Sequence, residues 1–88
     1  MLLSVLAPIP PNALLAILQL YGYKIIEESA YNWVLAREED DVPLLLPKLG
    51  SAVPVEVMEN AFEHSGMTLE VYFALKQSLG NGDLFKVN

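Results

Sequence analysis

The period of hydrophobic and polar positions changes along the chain, and this change separates strands from helices. Between Gly22 and Pro47, three short runs are rich in β-branched, aromatic and aliphatic residues, and turn-forming residues separate them. The pattern predicts strands over residues 23–28, 31–37 and 42–46. Because the connections are short, we expect the strands to form an antiparallel meander.

The segments on either side of the meander have the spacing of apolar residues that is typical of helices. A first helix is predicted over residues 13–21, with Asn12 as its N-terminal cap. A second is predicted over residues 54–64, and a third begins after Thr68 and ends at Gly80. The predicted fold class is therefore α+β, in the order helix, three-stranded antiparallel sheet, two helices.

Both faces of the predicted sheet are largely apolar. Alternate residues of a strand point to opposite faces, so Tyr31, Trp33 and Leu35 share the face that we assign to the helices. We therefore predict that Trp33 is buried. The first helix is also apolar nearly all round, with Gln19 its one strongly polar residue. Such a helix is covered either by the sheet and third helix of the same chain or by another subunit.

The composition adds a surplus of apolar residues to this picture. The hydrophobic fraction is 53% in 88 residues, whereas a domain of this size buries only ~60–65% of its unfolded surface. We expect one domain over residues 1–88, with residues 1–9 as an N-terminal arm and residues 80–88 as a C-terminal tail. The surplus predicts a homo-oligomer, most simply a two-fold dimer through residues 1–20, or a protein partner.

Charge and residue usage exclude several classes of function. The net charge is −6 and the five positive residues are scattered, which disfavours nucleic acid as a ligand. The chain has no cysteine and one histidine, so neither a thiolate zinc site nor a multi-histidine metal site is expected, and no motif predicts a cofactor. No membrane span or secretory signal is recognisable, so we expect a cytoplasmic protein.

Two features could carry chemistry. Glu38, Glu39, Asp40 and Asp41 form an acidic turn between the second and third strands. Their spacing matches no calcium loop, and a solvated turn is favoured over a cation site or a docking patch. His64 lies in the last turn of the second helix, where the helix dipole favours a cation. A structural or surface role is favoured for it, because the sequence supplies no partner for a general base.

The order of these features resembles a known family. The matching residues are Gly22-Tyr23, where the family has Gly-Phe, the paired segments KIIEES and YNWVLAR, the proline-ended VPLLLP, and SGMT at residues 65–68, where the family has Ala-Gly-Leu-Ser. On these residues the chain resembles the HicA (YcfA-like) family of small toxin–antitoxin proteins. The resemblance covers residues 9–79, about four-fifths of the chain.

The resemblance implies a double-stranded-RNA-binding-domain-like fold. For an active member it also implies mRNA cleavage and neutralisation by a HicB-type antitoxin. The family's catalytic histidine lies in a Gly-Ser-His motif that begins the second strand, and here the triplet is Ala30-Tyr31-Asn32. Asn32 at the histidine position cannot act as a general base. The chain is also acidic, whereas the family is usually basic.

Two functions follow from these observations. The first is a non-catalytic HicA-like domain that acts through protein–protein contact or self-association, with a HicB-like protein among the candidate partners. Its candidate binding residues are Tyr31, Asn32, Trp33 and Lys48. The second is an mRNA-cleaving toxin with displaced catalytic residues, which would use His64, or Tyr31 with Lys48. The sequence favours the non-catalytic function over an enzyme.

Overall fold

The computed structural model describes residues 7–80 and shows an α+β fold. The elements are α1 (Pro11–Leu20), β1 (Lys24–Glu28), β2 (Asn32–Ala36), β3 (Leu44–Pro47), α2 (Val55–Ser65) and α3 (Leu69–Leu79). The predicted order of one helix, three strands and two helices is confirmed. Most of the predicted N-terminal arm and nearly all of the C-terminal tail lie outside the described residues.

The ends of the helices follow the local chemistry of the chain, with one correction. The predicted cap at Asn12 is wrong, because α1 starts earlier, with Pro10 at the cap position and Pro11 as its first residue. Proline is favoured there, since the first N–H of a helix needs no partner within the helix. The predicted cap of α3 is confirmed, because the Thr68 hydroxyl accepts a hydrogen bond from the Val71 N–H at 3.2 Å.

The sheet has the order β1-β2-β3, and both strand pairs are antiparallel. Its inner face carries Trp33, Leu35, Leu44 and Leu46, all of which are buried. The predicted burial of Trp33 is confirmed at 7% exposure. The expectation for Tyr31 is wrong, because this residue precedes β2 and its side chain is 63% exposed.

Helix α1 is covered mainly by its own chain. It contacts α3 on one side and β3 on another, and half of its ten residues are buried. Of the two predicted alternatives, cover by the same chain and cover by another subunit, the structure shows the first for most of the helix surface. Leu20 stays 51% exposed. Around α1 the core gathers apolar side chains from every element except β1: Ile9, Ala13, Leu14, Ile17, Leu18, Tyr23, Trp33, Leu35, Leu44, Leu46, Val53, Met58, Ala61, Phe62, Met67 and Tyr72.

Strand β1 forms an irregular edge of the sheet. None of its five residues is buried. Ile25 lies opposite Leu35 and Glu27 opposite Val34, so Ile26 is an extra residue in a β-bulge. A bulge twists an edge strand and interrupts its hydrogen-bonding pattern, and charged side chains hinder a further strand from pairing there.

Strand β3 forms the other edge, and two prolines block it. The Lys48 N–H donates to the Tyr31 carbonyl across the β2–β3 pair at 2.8 Å. The backbone N–H and C=O groups of successive residues alternate in direction along a strand. Those of residues 44 and 46 therefore also point toward β2, and those of residues 43, 45 and 47 point away from the sheet. Pro43 and Pro47 have no N–H, so Leu45 is the one outward donor over residues 43–47. Neither edge is suited to adding a strand.

The outer face of the sheet lies opposite the helices. Asn32, Val34 and Ala36 are half-buried on this face, and Leu45 pairs with Val34 across the strands. Leu45 is 54% exposed. The side of the sheet away from the helices therefore carries an apolar strip on β2 and β3, which Lys24 and Glu27 of β1 border.

Replacing Trp33 by Ala should lower the free energy of unfolding by about 3–5 kcal/mol, because it removes a buried aromatic side chain from the inner face of the sheet. Urea denaturation followed by circular dichroism measures this loss. Tyr31→Ala is the matched control and should change stability by less than about 0.5 kcal/mol, since the Tyr31 side chain is exposed. Equal effects of the two substitutions would contradict the assigned faces.

Candidate functional site

Four side chains from three separate parts of the chain form a polar cluster at one end of the sheet: Tyr23, Arg37, Asp40 and His64. Within it, Arg37 and Asp40 make a two-pronged ion pair, with Nε–Oδ2 at 2.7 Å and Nη2–Oδ1 at 2.9 Å. Their side chains are only 7% and 15% exposed. The expectation of a solvated acidic turn is therefore wrong for Asp40, which turns inward to meet Arg37.

Two tyrosine rings hold the guanidinium of Arg37. Its Cζ atom lies 4.5 Å from the ring centroid of Tyr23 and 5.4 Å from that of Tyr21. A guanidinium over an aromatic face gains electrostatic attraction from the ring. The edge of the Arg37 guanidinium is therefore hydrogen-bonded to a carboxylate, and aromatic rings lie close to its Cζ atom. Because these contacts are already made, the guanidinium is poorly placed to bind phosphate.

Both ring nitrogens of His64 are engaged. Nε2 lies 2.6 Å from the Val42 carbonyl oxygen, and Nδ1 lies 2.7 Å from the Tyr23 hydroxyl. A carbonyl can only accept, so we assign a proton to Nε2. Nδ1 shares a hydrogen bond with the Tyr23 hydroxyl and lies 3.7 Å from the Asp40 carboxylate. A general base needs a free nitrogen within reach of the substrate proton. The imidazole in this arrangement has none and instead joins the β2–β3 connection to the end of α2.

The cluster shifts the pKa values of three of its members, and the hydrogen bond to Asp40 raises that of Arg37. Burial raises the pKa of Tyr23 to about 12, and the neighbouring Asp40 carboxylate acts in the same direction while Arg37 opposes it. The hydrogen bond from Arg37 holds the pKa of Asp40 below its usual range. At neutral pH the cluster therefore contains a protonated tyrosine and a charged ion pair. This combination is consistent with a structural role.

The binding residues predicted from sequence meet at the opposite end of β2. The Lys48 ammonium lies 2.5 Å from the Glu28 carboxylate and 5.3 Å from the ring centroid of Trp33. Asn32 lies on the outer face and its N–H donates to the Ser29 hydroxyl at 3.1 Å. Tyr31 is exposed beside them, so the four residues are neighbours. Their role in binding stays a prediction, and Trp33 among them is buried.

Asn32, which stands at the position of the family's catalytic histidine, does not lie near His64 in the structure. Asn32 begins β2, whereas the polar cluster lies beyond the other end of this strand at Arg37. At ~3.3 Å per residue the two positions are ~16 Å apart along the strand. His64 therefore does not replace the missing histidine at the start of β2.

A shallow cleft of about 440 Å³ opens on the outer face between β1 and the acidic turn. It adjoins the apolar pair Val34 and Leu45, because Ala36 lies two residues beyond Val34 on the same face. Sequence alternation places Ala36 there but gives no sign of the bulge that brings Ile26 to the cleft. The lining residues are Gly22, Lys24, Ile26, Ala36, Arg37, Glu38 and Glu39.

The structure offers no sign of other chemistry over residues 7–80. Within this range, no three His, Asp or Glu side chains are grouped so that they could hold a metal ion. In the same part of the chain, every helix is too short or too polar to cross a membrane. Comparison of the chain with models of protein families, with curated proteins and with solved structures finds no match. The resemblance to the HicA family therefore depends on the sequence features alone.

Two buried tyrosines provide a matched test of the polar cluster. Tyr23→Phe should lower the free energy of unfolding by about 1–3 kcal/mol, because it leaves the His64 Nδ1 without its hydrogen-bond partner. Tyr72→Phe should leave stability unchanged or raise it by about 1 kcal/mol, because the buried Tyr72 hydroxyl has no hydrogen-bond partner in the structure. Urea denaturation at neutral pH compares them, and a larger loss for Tyr72→Phe would contradict the assignment.

The ion pair between Arg37 and Asp40 predicts how the free energy of unfolding depends on pH. Because the pKa of Asp40 is lowered in the folded state, its contribution is present above the unfolded value of about 3.9 and is lost as the pH falls through the folded value. Asp40→Asn should therefore weaken the fall in stability at acidic pH. The exposed Asp41→Asn is the control and should keep the parent profile. Denaturation measured from pH 7 to pH 2 gives both curves, and identical slopes for the two variants would refute the assignment.

Proposed function

We propose that this chain is a non-catalytic HicA-like interaction domain that contacts another protein surface through the outer face of its sheet. The observation that carries the proposal is an apolar strip on the outer face, on which Leu45 is more than half exposed beside Val34. Lys24 and Glu27 of β1 border this strip, opposite Ala36 and Val34. Exposed apolar patches of this kind are typical of protein–protein contact sites. The inner face, by contrast, is already filled by the helices.

RNA cleavage requires groups that are missing at the positions where the resemblance to the HicA family puts them. This supports the proposal. Asn32 has no titratable proton at the position of the family histidine. Two of the five positive residues, Arg37 and Lys48, are paired with Asp40 and Glu28. Cleavage through the ribose hydroxyl needs a proton acceptor, and binding of the phosphate backbone needs positive charge.

The alternative is a toxin with displaced catalytic residues, and the contacts of those residues favour it less. His64 has partners on both ring nitrogens, one of them a backbone carbonyl. Tyr31 and Lys48 are neighbours, but the Lys48 ammonium is bonded to Glu28. An RNA substrate would have to displace a protein hydrogen bond at either place before it met a free base.

The isolated 88-residue protein should neither cleave mRNA nor bind it tightly. Changing Ala30-Tyr31-Asn32 to Gly-Ser-His should still give little cleavage, because the acidic turn repels phosphate; activity is expected only when that turn is neutralised as well. Cleavage of a labelled transcript and its gel shift measure both properties. Growth arrest on expression of the unmodified protein, abolished by His64→Ala, would overturn the proposal in favour of the toxin.

Substitution of one exposed leucine on each side of the molecule locates the contact surface. Sedimentation velocity at raised salt, where repulsion between acidic chains is screened, should show concentration-dependent association. Leu45→Glu on the outer face should reduce this association, whereas Leu20→Glu on α1 should not. The two side chains are similarly exposed, at 54% and 51%. The reverse order would move the interface to residues 1–20, as the sequence alone predicts.

A further inference from the structure

We infer that the outer face takes a basic amphipathic segment of a different protein, which lays its apolar side on Val34, Ala36 and Leu45 and places Lys or Arg beside the cleft. This inference rests on the proposed function and adds the chemistry of the partner. It is drawn from the shape of the surface, the closed strand edges and the distribution of charge.

The closed edges determine the form of the contact. Pro43 and Pro47 leave one outward donor on β3, and the bulge at Ile26 interrupts β1. A partner therefore cannot gain a ladder of backbone hydrogen bonds by adding a strand. It has to bind with its side chains, across the face of the sheet. A helix meets this requirement because it satisfies its own backbone and presents an apolar stripe.

The cleft gives the partner both an apolar floor and acidic walls. Ile26 and Ala36 lie among its lining residues, with Glu38 and Glu39 beside them. Arg37 is paired with Asp40 at 2.7 Å and lies 4.0 Å from the Glu39 carboxylate, which stays 69% exposed. Lys24 is then the one remaining cation in the lining, facing two carboxylates. A segment with apolar anchors and a flanking basic residue complements both features.

Charge also decides between a separate partner and a second copy. Two copies that meet through this face bring together two chains that each carry a net charge of −6. Like charges across an interface oppose association, and salt relieves them. Self-association through this face should therefore strengthen with salt. Binding of a basic segment should weaken with salt, so the two occupants have opposite salt dependences.

The test uses the full 88-residue chain and three labelled 18-residue peptides. The first alternates Leu and Lys with helical spacing, the second replaces Lys by Glu, and the third replaces Leu by Ser. Fluorescence anisotropy at low salt should show binding of the Leu/Lys peptide, at least tenfold weaker binding of the Ser/Lys peptide, and no binding of the Leu/Glu peptide. Amide chemical shifts should change on β2 and β3 and at the cleft, and not on α2.

Matched variants separate the outer face from general attraction to an acidic protein. Glu38→Gln with Glu39→Gln should weaken binding of the Leu/Lys peptide about three- to tenfold, on the scale of two surface charge pairs. Glu56→Gln with Glu59→Gln removes the same charge from the exposed side of α2 and should leave the affinity unchanged.

Three outcomes would overturn the inference. These are equal weakening by the two double variants, shift changes centred on α2, and equal binding of the Leu/Lys and Ser/Lys peptides. None of them tests the proposed function itself, which fails instead if Leu45→Glu leaves the association at raised salt intact or if the protein cleaves RNA. The two failures are therefore distinguishable.

Discussion

One imidazole adds a polar link to the apolar packing between the sheet and the helices. His64 is hydrogen-bonded to the Tyr23 hydroxyl and donates to the Val42 carbonyl, so it connects the residue before β1, the turn before β3 and the end of α2. These hydrogen bonds matter because no residue of β1 itself is buried. Apolar packing fixes β2 and β3, whereas the chain that enters β1 is held by Tyr23 within the polar cluster.

Much of the fold could be predicted from sequence because it follows from local periodicity. Alternation in the second strand identified the buried Trp33, and the spacing of apolar residues in the second helix matched the buried side of α2, where Met58, Ala61 and Phe62 lie in the core. These signals are carried by residues a few positions apart. They reflect a single physical requirement, that one side of each element leaves water.

The polar cluster could not be predicted in the same way. Tyr23 and His64 are 41 residues apart, and no local pattern indicates that two such side chains meet. The pairing of Arg37 with Asp40, three residues on, was within reach of sequence reasoning. Four consecutive acidic residues carry the same charge, however, and no local pattern indicates which of them turns toward Arg37. The bulge at Ile26 likewise depends on the strand that lies opposite it.

The two prolines of the β3 edge have a consequence for the growth of any assembly. Fibres of stacked strands grow because each added chain exposes a fresh row of backbone donors for the next one. Here Pro43 and Pro47 remove those donors on one side of the sheet, and the bulge interrupts the row on the other. Growth by templating is therefore hindered at both edges, so an assembly that includes this sheet is not readily extended by stacked strands.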